Sequence, residues 1–301
     1  MSPLPGHTGL AVAGLLLNAL VFGLSWWPFK QLQAIGLHPL WSTAVVYLLA
    51  LLALLTWSAW RGQSMRTGWR AHPGLWWLML ASGLTNVGFN WAITVGDVVR
   101  VVLLFYLMPA WSVLVAWLLL GERPHGAALL RVALALLGLW IVLKPADAPW
   151  PVPQDAADVL ALLGGLCFAA TNVGLFKLRH SPEPARMMAM FGGGAVIPAL
   201  VALGGSSLGL LAAPPALGAP WWPALVLALG FLVGNLTLQY GAARLSAHTT
   251  SLVMLSEVVL AAVSSVALGA AQWQTQTLVG GGLILLAALL AVQPAPARPA
   301  P

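Results

Sequence analysis

One carboxylate stands alone in the middle of a long apolar run. Glu257 lies between Leu-Val-Met-Leu-Ser and Val-Val-Leu-Ala-Ala, with no Lys or Arg in the same stretch. A charged carboxyl at the centre of a membrane helix costs at least about 2.5 kcal/mol, so such a residue faces a cavity or a partner. Its chemistry would be recognition of a cationic amine, or proton exchange coupled to movement of a solute. The alternative is a protonated acid that hydrogen-bonds a neighbouring helix.

Amides come next. Asn86 and Asn90 are four residues apart, which places them on one helix face, and Asn235 and Gln239 repeat that spacing. Amides donate to carboxylates and accept from amines, which suits a zwitterion; the alternative is interhelical glue worth about 0.6 kcal/mol. Asn172 is a further amide expected in the same cavity. Trp26, Trp91, Tyr106, Trp111 and Tyr240 would supply its aromatic walls, which favour aromatic or cationic ligands. The other Trp residues, such as Trp57, Trp76 and Trp222, fall at the ends of apolar runs, where aromatic belts form. Pro28 and Pro109 would bend their helices and act as hinges. Lys30 and Arg100 sit at run ends, as snorkelling residues or gate contacts. Gly192–Gly194 and Gly280–Gly282 read as close helix contacts.

Catalytic and cofactor signals are sparse. There is no phosphate-binding glycine loop followed by Lys-Ser/Thr, no H-E-x-x-H zinc pair and no G-x-S-x-G elbow. The single Cys167 excludes an internal disulfide and a cysteine metal cluster. No metal, cofactor or enzymatic activity is expected.

The elements that hold these residues follow from composition. Of 301 residues, 13 are Lys or Arg and 7 are Asp or Glu, while 60% are apolar. Mean hydropathy is +0.90. A soluble surface cannot be covered with so few charges, and a disordered chain would be rich in them. Runs of about 20 apolar residues, the length that crosses a bilayer, fall near 9–28, 39–60, 74–95, 98–120, 126–143, 157–177, 186–204, 221–241, 247–269 and 275–293. They are apolar all round, unlike alternating barrel strands. The first run is long and lacks a small-residue cleavage site, which argues against a cleaved leader. Alternate loops hold Arg61, Arg66, Arg70, Arg123, Lys177, Arg179, Arg186, Arg244 and Arg298, with Arg131 near the same side; the opposite set holds Lys30, Arg100 and Lys144. That bias places both termini in the cytoplasm. It also accounts for most of the pI near 10.3, so nucleic acid is not an expected partner.

The chain also repeats itself. Shifted by 149 residues, Asn86 meets Asn235, Asn90 meets Gln239 and Trp91 meets Tyr240. At 146, Phe22 meets Phe168 and Ser25 meets Thr171; with one gap, Leu120-Gly121 meets Leu268-Gly269. Five spans per half invert the second half in the bilayer, an arrangement that puts a binding site at the midplane and allows alternating access. The expected layout is a first repeat over 1–145, a Pro-rich extracytoplasmic link over 146–154, a second repeat over 155–293 and a disordered tail over 294–301. The expected fold is an all-α polytopic membrane protein, with ten transmembrane helices as two five-helix inverted repeats. Its central cavity would be framed by the first, third, fourth, sixth, eighth and ninth helices. One such chain suffices for transport, and its oligomeric state stays open.

The stretch from Pro109 through Leu118-Leu-Leu-Gly-Glu122, followed by Gly126 and Leu137-Gly138-Leu139, resembles the EamA pattern of the drug/metabolite transporter superfamily. Phe22-Gly-Leu-Ser-Trp-Trp-Pro-Phe-Lys30 is similar to the family's first helix. The resemblance implies export of small metabolites across a bacterial inner membrane, and within the superfamily it looks most like the YddG-type aromatic amino-acid exporters. The small-molecule substrate and the lipid bilayer would be the partners. The second half departs from the pattern, with Val258 opposite Pro109 and Leu268-Gly-Ala-Ala271 in place of the Leu-Gly-Glu end. A passive channel, or a lipid-handling intramembrane protein or enzyme using Glu257, is the alternative reading.

Overall fold

The computed structural model describes residues 5–62, 68–121, 126–144, 152–212, 214, 221–242, 244–245 and 253–292. Glu122, most of the 146–154 link, the 294–301 tail and the side chain of Gln239 lie outside the described residues.

Helices account for nearly all of the described chain, as they must where no water is available to bond a free backbone group. In chain order they are α1 Pro5–Leu24, α2 Trp26–Ala34, α3 Pro39–Trp60, α4 Gly74–Val95, α5 Val98–Phe105, α6 Met108–Leu120, α7 Gly126–Leu143, α8 Ala156–Lys177, α9 Glu183–Ser207, α10 Trp222–Ala242, α11 Ser256–Ala267 and α12 Thr275–Val292. Seven spans among the described residues are long and apolar enough to cross a bilayer, from Gly9–Ala34 to Glu183–Ser207. Three shorter apolar helices follow, Trp222–Leu238, Ser256–Ala267 and Thr275–Leu290. The first span runs on to Ala34, beyond the expected end near residue 28, so Lys30 lies inside it.

Three spans are broken, and the breaks have local causes. A proline has no N–H for the carbonyl four residues back and its ring collides with it. Leu24, four before Pro28, ends α1; Phe105, four before Pro109, ends α5. Tyr106 and Leu107 then form the turn between α5 and α6. The third break, at Leu255, has no proline. There the Ser256 hydroxyl donates to the Val253 carbonyl at 2.6 Å, and Ser25 makes the same kind of bond to Phe22 at 2.7 Å. Such back-bonds compete with the helix ladder. Tyr106 and Leu255 correspond at the 149-residue shift, so both halves break at the same place.

Packing joins the halves rather than separating them. Helix α4 lies on α8 and α9, α1 on α10 and α11, α3 on α9, and α7 on α12. The contact of α4 with α8 is repeated by α10 with α1. Gly88 faces the Leu160 carbonyl, and Gly14 faces the Thr237 carbonyl; Gly88 corresponds to Thr237 and Gly14 to Leu160 at the two shifts. Between α7 and α12, a methyl on Gly138 would stand 2.5 Å from the Gly280 carbonyl, and one on Gly280 would stand 2.7 Å from that of Gly138. Only glycine permits that approach.

Candidate functional site: a cavity between the halves

A cavity of about 880 Å³ opens between the two halves. Its lining comes from α4 between Ser82 and Asn90, α6 from Met108 to Ala116, α7 at Ala128 and Arg131, α8 from Phe168 to Leu175 and α12 at Ala288. These positions run from mid-helix to the face where α7 begins and α6, α8 and α12 end. That face carries most of the basic residues.

Polar bonds seal the other face. Arg100 donates through Nε to Asp158 Oδ1 at 2.7 Å, through Nη2 to Oδ2 at 2.8 Å and through Nη1 to the Val142 carbonyl at 2.7 Å. Asp158 is held in place by the Gln154 N–H at 2.8 Å, and the whole cluster ties α5 to α7 and α8. Lys30 Nζ donates to the Gly96 carbonyl at 3.4 Å. Gln276 on α12 donates to the Ile141 and Lys144 carbonyls at the end of α7.

Aromatic rings form two clusters on the cavity wall. On one side Phe22 stacks on Phe231 with centroids 5.0 Å apart, and Tyr47 meets both Phe231 and Phe191. On the other, Phe105 lies 4.5 Å from Phe89 and 5.4 Å from Phe168. Amides are set among them. Asn86 Nδ2 donates to the Ser82 carbonyl at 2.9 Å, and its counterpart Asn235 donates to Phe231 at 2.8 Å. Each is tethered to its own helix, which leaves its carbonyl oxygen free to aim elsewhere; the Tyr47 phenol lies against Asn86. Asn18 Nδ2 reaches the Gly234 carbonyl at 2.8 Å. Its Oδ1 and the Asn90 Nδ2 are buried on the cavity wall with no partner among the described residues.

Glu257 sits in the first turn of α11, half-buried and on the cavity wall. Tyr106, at the break of the opposite half, presents its phenol to the Glu257 carboxyl. The two helix breaks therefore meet at this pair of side chains. Two half-helices, α6 and α11, start at these breaks. Arg100 with Asp158 is the ion pair among the described residues, so Glu257 has no cationic partner there.

This two-repeat frame is matched by the EamA-like transporter family, which covers residues 9–144 and again 155–293. The chain belongs to that family. Among solved structures, one protein crystal structure aligns with 96% of this chain and 97% of its own length, at 19% identity and a TM-score of 0.58. That likeness extends to the fold. The comparison with curated proteins gives no match. As a member of a transporter family with this many apolar helices, the chain is a multi-pass membrane protein that handles a small-molecule substrate.

The transporter's cavity gathers Asn86, Asn90, Tyr106, Pro109, Asn172, Asn235 and Glu257. The other described positions lie elsewhere. Trp26 is packed in the core at 1% exposure, with Nε1 donating to Ser264 at 3.0 Å. Trp91 meets the His38 ring edge-on at 5.0 Å, and Tyr240 lies under the Arg244 guanidinium at 3.8 Å. Trp111 packs against Ala110, Leu107 and Val115. Pro28 is buried, and Lys30 and Arg100 belong to the sealed face.

The aromatic lining of the cavity comes from phenylalanine and tyrosine rings, Tyr106 among them. The Trp26 indole N–H finds its acceptor in the opposite half, whereas the buried Trp111 Nε1 has none among the described residues; a phenyl ring makes no such demand. The match of Phe22 with Phe168 was the available signal. Tyr47, Met190 and Phe191, on α3 and α9, also line the cavity, as do Ala128, Arg131 and Ala288 on α7 and α12. The frame is wider than the six expected helices.

Proposed function

We propose that the protein exports small, largely apolar metabolites that carry an amine, amino acids with aromatic side chains among them, across a bacterial inner membrane. The ten apolar segments are its spans, in two inverted sets of five, with both termini in the cytoplasm. The observation that carries this reading is Glu257: a carboxylate with no cationic partner among the described residues, at the junction of the two helix breaks, on a cavity lined by eight Phe and Tyr rings. A desolvated ammonium group is attracted by both a carboxylate and aromatic faces. Asn18 Oδ1 accepts from the same ammonium, while Asn90 Nδ2 donates to an acceptor on the ligand.

On this reading the cavity faces the cytoplasm, a position supported by the basic residues near its mouth. Alternating access requires release of the opposite face, where Arg100 and Lys30 act as gate contacts and the breaks at Pro28 and Pro109 act as hinges. The test is uptake into proteoliposomes over a panel of amino acids and organic amines, with and without a pH gradient. Saturable uptake with counterflow is expected, and Glu257→Gln alters it or its pH dependence. Non-saturable flux would show a channel, and unchanged flux of the Gln variant at every pH would remove Glu257 from the mechanism.

A further inference from the structure

Arg131 stands in the second turn of α7, about 8 Å along the helix from Gly126. An arginine at that depth is held by backbone carbonyls, a counter-ion or water. Here Nε donates to the Ala127 carbonyl at 3.0 Å and Nη1 to the Leu290 carbonyl at 3.2 Å. No other bond to it, and no carboxylate partner, is found among the described residues. The guanidinium lies on the cavity wall near its open mouth, among the small side chains of Ala116, Ala128 and Ala288.

Its counterpart in form is Arg100. Val142 and Leu290 correspond at the 148-residue shift that matches Leu120-Gly121 with Leu268-Gly269. Each arginine thus bonds the same carbonyl position in the last helix of a half, at opposite faces of the protein. Arg100 completes its fork with the carboxylate of Asp158. Arg131 lines the cavity instead, and its remaining N–H groups have no partner among the described residues. A guanidinium edge matches a carboxylate with two parallel hydrogen bonds.

We propose that Arg131 receives the carboxylate of the transported molecule at the mouth of the cavity. The inference rests on the reading of Glu257 as the amine site and adds the opposite pole. A molecule bearing both groups then enters with its amine leading toward Glu257 and its carboxylate trailing on Arg131. The two charges set the orientation, and the phenyl walls take the side chain.

Three radiolabelled probes that share one ring separate the poles in proteoliposomes: phenylalanine, phenethylamine and 3-phenylpropanoate. Arg131→Gln is expected to lower the ratio of phenylalanine to phenethylamine uptake by about tenfold, and Arg131→Lys by less. Because each ratio is measured within one variant, a change in the folded fraction cancels. Glu257→Gln should move the phenylalanine to 3-phenylpropanoate ratio instead. An unchanged ratio in Arg131→Gln, with all probes lowered equally or none lowered, overturns the role of Arg131 while the amine reading stands. Absence of saturable uptake of any of the three probes by the wild-type protein overturns the amine reading and this inference together.

Discussion

At the sealed face, Arg100 meets the Val142 carbonyl and the Asp158 carboxylate, and the cluster joins three helices from two halves. At the open face, Arg131 meets the matching Leu290 carbonyl and the Ala127 carbonyl of its own helix, with no carboxylate among the described residues. The side chain of Asp158 is 2% exposed and that of Arg100 13%, so the sealed pair is largely buried, whereas Arg131 is half-exposed on the cavity wall. The same residue type therefore serves as a fastener in one place and as an available donor in the other. The difference lies in one acid, supplied by α8 on one side and, on our reading, by the ligand on the other.

The comparison breaks most visibly at Asp158. Asp158→Asn leaves a buried guanidinium without its counter-ion and is expected to cost about 3 kcal/mol or more, read as a lower thermal midpoint in detergent. The same change should expose introduced cysteines at the sealed face to membrane-impermeant thiol reagents. Arg131→Gln, at the open face, should shift stability by no more than about 0.5 kcal/mol; an equal loss at both arginines would erase the distinction drawn here. Gly138→Ala tests whether the seam of α7 and α12 is a fixed axis between the faces. Its methyl meets the Gly280 carbonyl at 2.5 Å, an overpacking that should cost about 1–3 kcal/mol in the same melt. Trp26→Phe removes the bond to Ser264 below the sealed face, worth about 0.6 kcal/mol.

The smallest effect is expected at His38, which caps α3 on the sealed side, its Nδ1 accepting from the Leu40 N–H at 3.3 Å. Burial lowers its pKa below the usual 6.5. A histidine with a depressed folded pKa binds fewer protons folded than unfolded, so stability rises with pH through the window between the depressed value and 6.5. Below that window the penalty is fully present; above 6.5 it is absent. A melt compared at pH 5 and pH 8 should show this difference shrink in His38→Gln.

Much of the architecture was legible because hydrocarbon imposes one solution on the backbone. Run lengths gave the helices, and the Asn86–Asn235 and Phe22–Phe168 matches marked positions that line the cavity in both halves. The break at Pro109 was legible from proline chemistry. Its partner at Leu255 was hidden, since a serine back-bond leaves no such plain mark. The nearest acid to Arg100 in sequence is Asp97, yet Asp97 accepts from the Arg100 backbone N–H at 2.9 Å while the side chain reaches Asp158. Nothing in linear spacing announces a partner 58 residues away in the other half. The same holds for Trp26, whose indole bonds Ser264 in the other half, 238 residues away.

The interleaving of the halves also has a consequence in time. Helix α4 finds its neighbours in α8 and α9, and α1 finds its own in α10 and α11, so the first half leaves the ribosome before the surfaces that cover it exist. At about 5–20 residues per second, the second half takes roughly 10–30 s to follow. During that wait the glycine faces of α1 and α4 meet lipid, and a chain stopped after α7 would be an inserted but unpartnered intermediate, exposed to membrane quality control. Assembly of this transporter is closed from its C-terminal end.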